Sequence, residues 1–234
     1  MLTCIPVPGI PEITPGTVIG DAIVDAAMAA GITVEHHDCF VVTQKIVSKA
    51  EDRLVAIDAS DPDAKKRLVR AESTRIIRER GPLLISETQH GFICANAGID
   101  LSNVDAGTAA LLPVDPDRSA QRIRERIAAR TQTACAVIVS DTFGRAWRMG
   151  LTDVAIGVAG IRAILDLRGT PDDRGRTLEV TEVAIADEIA GAAELVMGKA
   201  THCPVAIVRG LDPGWFGDGR ARDLIRPAQE DLFR

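Results

Sequence analysis

The chain has 234 residues, of which 46% are hydrophobic but only 3% aromatic with no tyrosine, so an aliphatic core is expected. Its formal net charge of −6 argues against a nucleic-acid partner, because such partners favour a basic surface. Five scattered cysteines, no secretory leader and no apolar run long enough for a bilayer predict free thiols, no membrane partner and a cytoplasmic location.

The first hundred residues predict short strands and two amphipathic helices. One helix is expected over 17–30, since Thr17 is a favourable N-cap residue. Apolar residues at helical spacing among many charges predict a second helix over 62–80. In chain order, the predicted strands cover residues 40–42, 53–57, 83–87 and 91–95.

The rest of the chain continues this mixture. After a polar loop over 96–105, strands are predicted over 111–114, 134–140 and 204–208, helices over 116–130 and 180–197, a Gly-rich stretch up to 164 and a turn over 172–175. Strands and helices do not alternate strictly, so the expected class is α+β, with mixed sheets and flanking helices. We expect a single domain over 1–234; two interleaved subdomains are the alternative.

Two acidic residues are candidate metal ligands. Asp141 and Thr142 directly follow the most apolar predicted strand, so Asp141 is well placed to reach a cleft; the alternative is that it only caps a turn. Asp100 lies in the polar loop, where an ordinary turn is the alternative. Carboxylates with hydroxyl neighbours match Mg²⁺ or Mn²⁺, and such an ion would let an acidic protein bind a nucleotide.

Two further groups offer positive charge. Lys45 and Lys49 are four residues apart, so they share one face of a helical turn and could grip phosphates; a solvated face is the alternative. Arg145, Trp147 and Arg148 offer two guanidinium groups and a flat ring. That combination suits an anionic, aromatic ligand, whereas the alternative is a structural tryptophan packed under arginine stems.

Several segments taken together are more specific than any one of them. The chain resembles the coenzyme F-420:L-glutamate ligase family, also called the γ-glutamyl ligase family, in residues 41–51, 90–104 and 140–148, which occur there in the same order. Residues 181–188 and 204–210 extend the resemblance, so that it covers nearly the whole chain. No flavin reductase-like domain, as some relatives carry at the C-terminus, is expected here.

The resemblance implies a γ-glutamyl ligase-type α+β fold, an intertwined homodimer, GTP as co-substrate, two Mg²⁺ or Mn²⁺ ions per site and often K⁺. It implies that Asp100 and Asp141 bind the first ion and that Asp141 and Thr142 lie near the second. Asp100, Asp141 and Lys49 are the expected catalytic residues. Residues implied to contact GTP are Ile10, Pro11, Glu12, Ile13, Gln44, Lys45, Lys49, Asn103, Gly198 and Lys199.

The predicted function is GTP-dependent formation of an amide between L-glutamate and the carboxylate of the deazaflavin coenzyme F-420 precursor, through an acyl phosphate. Arg145, Trp147 and Arg148 are the candidate contacts to the coenzyme. Three alternatives stay open: a metal-dependent nucleotide hydrolase, a non-catalytic deazaflavin-binding protein, and a ligase of this family that uses a different acyl acceptor.

Overall fold

Strands and helices are mixed along the chain in the computed structural model, which describes residues 1–58, 60–102, 104–199 and 201–232. In chain order the strands are β1 (Thr3–Pro6), β2 (Cys39–Thr43), β3 (Leu54–Ala56), β4 (Ser73–Arg80), β5 (Leu83–Thr88), β6 (Ile93–Ala95), β7 (Thr108–Ala110), β8 (Ala136–Arg145), β9 (Arg148–Ala159), β10 (Leu165–Asp166), β11 (Glu182–Val183) and β12 (Val205–Arg209). The α-helices are α1 (Ile19–Ala29), α2 (Gln44–Ala50), α3 (Ala64–Ala71), α4 (Pro116–Thr131) and α5 (Ile185–Met197). This mixture confirms the predicted α+β class.

The main sheet holds five strands in the order β1, β12, β2, β8 and β9. Strands β2 and β8 run parallel, and the other neighbouring pairs are antiparallel. Helix α4 packs on β8 and β9 and contacts α1, while α5 packs on β9, β1 and β12. Because helices cover the sheet, the central strands β2 and β12 are buried along nearly their whole length.

A second, smaller core lies among the smaller sheets. Strands β4, β5 and β6 form one sheet, and β3 pairs with β7 in another. Buried side chains on these strands and on the segments packed against them form a cluster that is separate from the core around the main sheet; it includes Val69 of α3, Leu84 of β5, Ile99 and Leu111. The single domain, with two interleaved subdomains as its alternative, stays a prediction.

Three details of the predicted helices are wrong. Thr17 does not cap α1, because its hydroxyl oxygen accepts the backbone N–H of Thr14 instead. The helix predicted over 62–80 is α3 followed by β4, since antiparallel pairing with β5 outweighs the helical spacing of the apolar residues. The helix predicted over 180–197 begins at Ile185, because β11 pairs with β10 just before it.

The strands that bear on the site also differ from their predictions. The strand predicted over 134–140 does not end at Asp141; β8 continues to Arg145, and the Gly-rich stretch forms its antiparallel partner β9. The prediction that a Gly-containing loop begins after Asp141 is therefore wrong. Strand β8 stops pairing with β2 at Ser140 but keeps pairing with β9. The strand predicted over 111–114 is also wrong, since β7 ends at Ala110.

The remaining predictions agree with the structure. The confirmed elements are those predicted near residues 40–42, 53–57, 83–87, 91–95, 116–130 and 204–208. All five cysteines are free thiols, as expected. Across the described residues, the helices are too short or too polar to cross a bilayer.

Candidate functional site

The candidate site lies where β2 and β8 stop pairing. The last pair joins Thr43 to Ser140, after which β2 leads directly into α2 and β8 pairs with β9. Lys45 therefore lies in the first turn of α2, and Asp141 is the first residue of β8 beyond the parallel pairing. Residues that follow parallel strands at one edge face a shared cleft, which is a common place for ligands.

Lys45 and Asp100 meet at this edge although 55 residues of sequence separate them. The Lys45 Nζ lies 2.8 Å from Asp100 Oδ2 and donates to Ser102 Oγ at 3.0 Å. The backbone N–H of Ser102 donates to Asp100 Oδ1 at 2.7 Å. Partial burial raises the pKa of Asp100, but the hydrogen bonds from Lys45 and Ser102 outweigh that effect and lower the pKa overall. Asp100 is therefore a carboxylate at neutral pH.

The pKa of Asp141 shifts in the opposite direction. Burial chiefly, together with the negative charges of Asp100 and Asp153, raises the pKa of Asp141 to about 7. The backbone N–H of Thr142 and the ammonium of Lys199 lower the pKa but do not offset the rise. Asp100 and Asp153 therefore both lie close enough to Asp141 to act on its charge. A cation between Asp100 and Asp141 would relieve the repulsion.

Asp153, which the sequence analysis missed, organises the other face of the strand. Successive side chains of a strand point to opposite faces, so Thr142 points away from Asp141 and faces its cross-strand partner Asp153. Ser140 donates to Asp153 Oδ2 at 3.0 Å, and Thr142 donates to Oδ1 at 2.5 Å. Lys199 Nζ lies 3.2 Å from Asp153 Oδ1 and also donates to Thr142 Oγ1. Only the pairing of β8 with β9 reveals this cluster.

Two of the segments predicted to contact the nucleotide, residues 10–13 and 44–49, meet at α2, whereas Lys199 of the third segment lies against Asp153 and Thr142. Lys49 Nζ lies 2.5 Å from Glu12 Oε1, which brings the N-terminal segment 10–13 onto the face of α2 that carries Lys45. Gln44 is buried, and its Oε1 accepts the hydroxyl of Ser48 at 2.8 Å. Its Nε2 is buried and has no hydrogen-bond acceptor within the described part of the chain. Asn103, the remaining predicted contact in this region, lies outside the described residues.

The residues predicted to contact the coenzyme lie apart from this cluster. Beyond Asp141, β8 and β9 continue as a two-stranded ribbon, residues 141–145 and 148–154, whose tip is exposed. Arg145, Trp147 and Arg148 lie at the tip, where Trp147 is 79% exposed and Arg145 donates to the backbone oxygen of Met149. Four residues of extended strand separate Arg145 from Asp141, which is roughly 13 Å.

A groove opens on the same face of the ribbon as Asp141. It has a volume of about 320 Å³ and is lined by Phe92, Phe143, Val154, Ile225 and Arg226 among others. Phe143 is two residues from Asp141, so both side chains point to one face of β8. Phe92 and Phe143 meet edge to face with ring centres 6.2 Å apart. The groove therefore offers aromatic walls and one guanidinium beside the acidic residues.

The acidic residues do not form a ready-made metal cage. Within the described residues, no group of three or more His, Cys, Asp or Glu side chains is gathered closely enough to hold an ion. Asp100 and Asp141 supply carboxylates that repel each other, and Ser102 supplies a hydroxyl. This donor set fits an oxygen-binding divalent cation if a ligand such as a phosphate completes the shell.

The family model and the similar proteins all name the same ligase. The family model described as F420-0:Gamma-glutamyl ligase matches residues 9–210. The coenzyme F420:L-glutamate ligase of Methanothermobacter thermautotrophicus is 43% identical, with 100% of this chain and 99% of the relative covered. The enzymes of the same name from Methanocaldococcus jannaschii and Methanopyrus kandleri are 40% and 36% identical, with 92% and 98% of this chain and 92% and 96% of the relatives covered.

Proposed function

Because the chain belongs to the F420-0:γ-glutamyl ligase family, we propose that it joins L-glutamate to the carboxylate of the coenzyme F-420 precursor and uses GTP to do so. The names of its relatives support the choice of acyl substrate and amino acid. The observation that carries the proposal is the convergence of Asp100 and Asp141 beside Lys45 at one sheet edge. Two acids and a lysine there suit a triphosphate held with a divalent cation.

The proposed reaction has two steps, because a free carboxylate is a poor acyl donor. First, a carboxylate oxygen of the precursor attacks the γ-phosphorus of GTP, the bond from that phosphorus to the β–γ bridging oxygen breaks, and GDP leaves. The product is an acyl phosphate. The neutral α-amine of L-glutamate then attacks the acyl carbon, the bond to the phosphate oxygen breaks, and the amide forms with release of phosphate and one proton. Positioning and charge neutralisation are what such a reaction chiefly requires.

The lysines of α2 are proposed to neutralise the triphosphate. Lys45 and Lys49 share one helical face and are each paired with an acid, Asp100 and Glu12 respectively. A bound triphosphate would compete for both ammonium groups, because it carries more negative charge than either carboxylate. The unsatisfied Nε2 of Gln44 supports a hydrogen bond to the nucleotide. Further proposed nucleotide contacts are Ile10, Pro11, Glu12, Ile13, Asn103, Gly198 and Lys199.

Asp100 and Asp141 are proposed to hold Mg²⁺ or Mn²⁺. The raised pKa of Asp141 supports this, because a cation beside it favours the ionised form. When bound, such an ion neutralises charge on the phosphate oxygens during transfer. The family resemblance also implies a second ion near Thr142, whose hydroxyl already bonds Asp153 and Lys199. A K⁺ requirement belongs to the same proposal and would appear as loss of activity when choline replaces K⁺.

The coenzyme is proposed to place its deazaflavin ring in the groove beside Asp141, where Phe92 and Phe143 offer aromatic walls. The exposed ribbon tip supports the further proposal of a homodimer, since Trp147 and Met149 are 79% and 92% exposed and would be covered by a second copy. In such a dimer, Arg145, Trp147 and Arg148 of one copy would contact the coenzyme bound by the other. A cytoplasmic location is part of the proposal.

One assay tests the reaction and separates the alternatives. The purified chain is incubated with coenzyme precursor, GTP, Mn²⁺ and L-glutamate, and the molecular mass of the precursor is measured by mass spectrometry. We expect a mass gain of one or more glutamyl residues that disappears when GTP or L-glutamate is left out. Phosphate release that needs neither precursor nor L-glutamate would support a hydrolase instead. Precursor binding without any mass gain would support a non-catalytic binding protein.

A further inference from the structure

Lys199 lies beyond the end of α5; its side chain is 58% exposed, and its ammonium contacts three side-chain oxygen atoms. Its Nζ lies 3.2 Å from Asp153 Oδ1 and 3.6 Å from Glu194 Oε1, and it donates to Thr142 Oγ1. Asp153 is only 3% exposed, so this carboxylate is held inside the protein and depends on its neighbours for charge balance. Two carboxylates and a hydroxyl around one positive charge are the surroundings that a metal cation would also take.

The hydroxyl of Thr142 makes two hydrogen bonds in this cluster. It donates its hydrogen to Asp153 Oδ1 and accepts a hydrogen from Lys199. A divalent ion that used Thr142 Oγ1 as a ligand would therefore lie beside an ammonium group, and the two positive charges would repel each other. Thr142 also points to the face of β8 opposite Asp141, so the two side chains approach an ion from different sides.

We propose that the Lys199 ammonium permanently holds the place of a second cation, so that each site of this protein binds one divalent ion rather than two. The single ion lies between Asp100 and Asp141, on the other face of the strand. This inference rests on the proposed metal site, and it departs from the two ions that the family resemblance implies. Lys199 acts here as a tethered positive charge that neutralises Asp153 and positions Thr142; it is a positioning residue and not a metal ligand.

The test counts bound ions instead of measuring activity. The full chain is titrated with Mn²⁺ in the presence of a non-hydrolysable GTP analogue, and free Mn²⁺ is followed by electron paramagnetic resonance. Three proteins are compared: the unchanged chain, Lys199→Met, and the control Lys66→Met, which removes a lysine that pairs with Glu79 on β4. We expect one Mn²⁺ per chain for the unchanged protein and the control, and two for Lys199→Met, because the emptied position exposes Asp153, Glu194 and Thr142.

Two results would overturn the inference while leaving the proposed ligase intact: two Mn²⁺ ions bound by the unchanged chain, or one ion bound by both the unchanged chain and Lys199→Met. A chain that binds no Mn²⁺ would instead contradict the proposed divalent site itself. Lys199→Gln serves as a second variant if the methionine variant fails to fold. It is neutral, offers an oxygen to a cation and is expected to bind two ions as well.

Discussion

Each face of the β8–β9 ribbon carries an aspartate, Asp153 on one face and Asp141 on the other, but the charges of the two carboxyl groups are balanced differently. On one face, Asp153 accepts hydrogen bonds from Ser140 and Thr142 and pairs with Lys199, so its charge is matched. On the other face, Lys45 is bonded to Asp100, and the pKa of Asp141 is raised to about 7 by burial and by its acidic neighbours. The first arrangement is complete without a ligand, whereas the second has an excess of negative charge.

This difference separates a structural cluster from a site that needs a cation. A buried acid with a full set of donors stabilises the fold and gains little from a metal. An acid whose pKa is raised to near neutral by burial and by neighbouring acids is typical of functional sites. Equivalent substitutions on the two faces should therefore differ: a substitution at Asp141 should mainly reduce activity, and one at Asp153 should mainly reduce stability.

The largest expected effect is on catalysis, from Asp141→Asn. The substitution removes a carboxylate from the proposed metal site but keeps its shape, so GTP-dependent glutamylation should fall by about 100-fold or more. Stability at pH 8 should be unchanged or slightly higher, because the repulsion with Asp100 and Asp153 is removed. Product mass spectrometry gives the rate and urea unfolding the stability. Full activity in this variant would show that Asp141 is not part of the site.

The matched substitution on the other face, Asp153→Asn, should mainly affect stability. It leaves Lys199 without its most buried partner and weakens the hydrogen bonds from Ser140 and Thr142. We expect the free energy of unfolding to fall by about 1–3 kcal/mol, the usual contribution of a hydrogen-bonded charged group. Glutamylation should fall less than tenfold when measured well below the unfolding temperature. A loss as large as that of Asp141→Asn, with unchanged stability, would reverse the two assignments.

The sequence predicted one face of the ribbon better than the other. Asp141 was predicted because it follows an apolar strand, Lys45 and Lys49 because of their spacing, and Asp100 because of its polar loop and the family resemblance. The structure brings Asp100 close to Lys45 and to Asp141. Asp153 could not be found, because its role depends on the register that places it opposite Thr142. A Gly-rich stretch gives little propensity for a strand, so pairing with β8 decides its structure.

The same cause explains the errors in the fold. Residues 62–80 have apolar residues at helical spacing, but β5 provides hydrogen-bonding partners that turn residues 73–80 into β4. Elements that are apolar throughout, such as β2 and β12, were predicted correctly because burial on both faces leaves a strong local pattern. Long-range pairing leaves no such pattern in the sequence.

A smaller effect is expected on the pH dependence of stability. The pKa of Asp141 is about 7 in the folded chain against 3.8 as the ordinary value. Between these values the unfolded chain releases the proton while the folded chain keeps it, so stability should fall as pH rises from about 4 to about 7. The decline should be weaker in Asp141→Asn and in the presence of Mn²⁺ with nucleotide. Urea unfolding at pH 5, 6, 7 and 8 measures it, and identical slopes for all samples would contradict the raised pKa.

The smallest effect should come from the ion pair of Glu12 and Lys49, in which the Lys49 side chain is 14% exposed. Glu12 is 76% exposed along its side chain and pairs with Lys49, so Glu12→Gln should change the free energy of unfolding by less than about 0.5 kcal/mol. Because Glu12 competes with the triphosphate for Lys49, the variant should lower the KM for GTP a few-fold, whereas Lys49→Met should raise it. Opposite shifts in KM for the two variants would show that Lys49 binds GTP and that it pairs with Glu12 only while no nucleotide is bound. Shifts of KM in the same direction would mean that the ion pair itself shapes the site. Lys49 would then have a structural role, as Lys199 has beside Asp153.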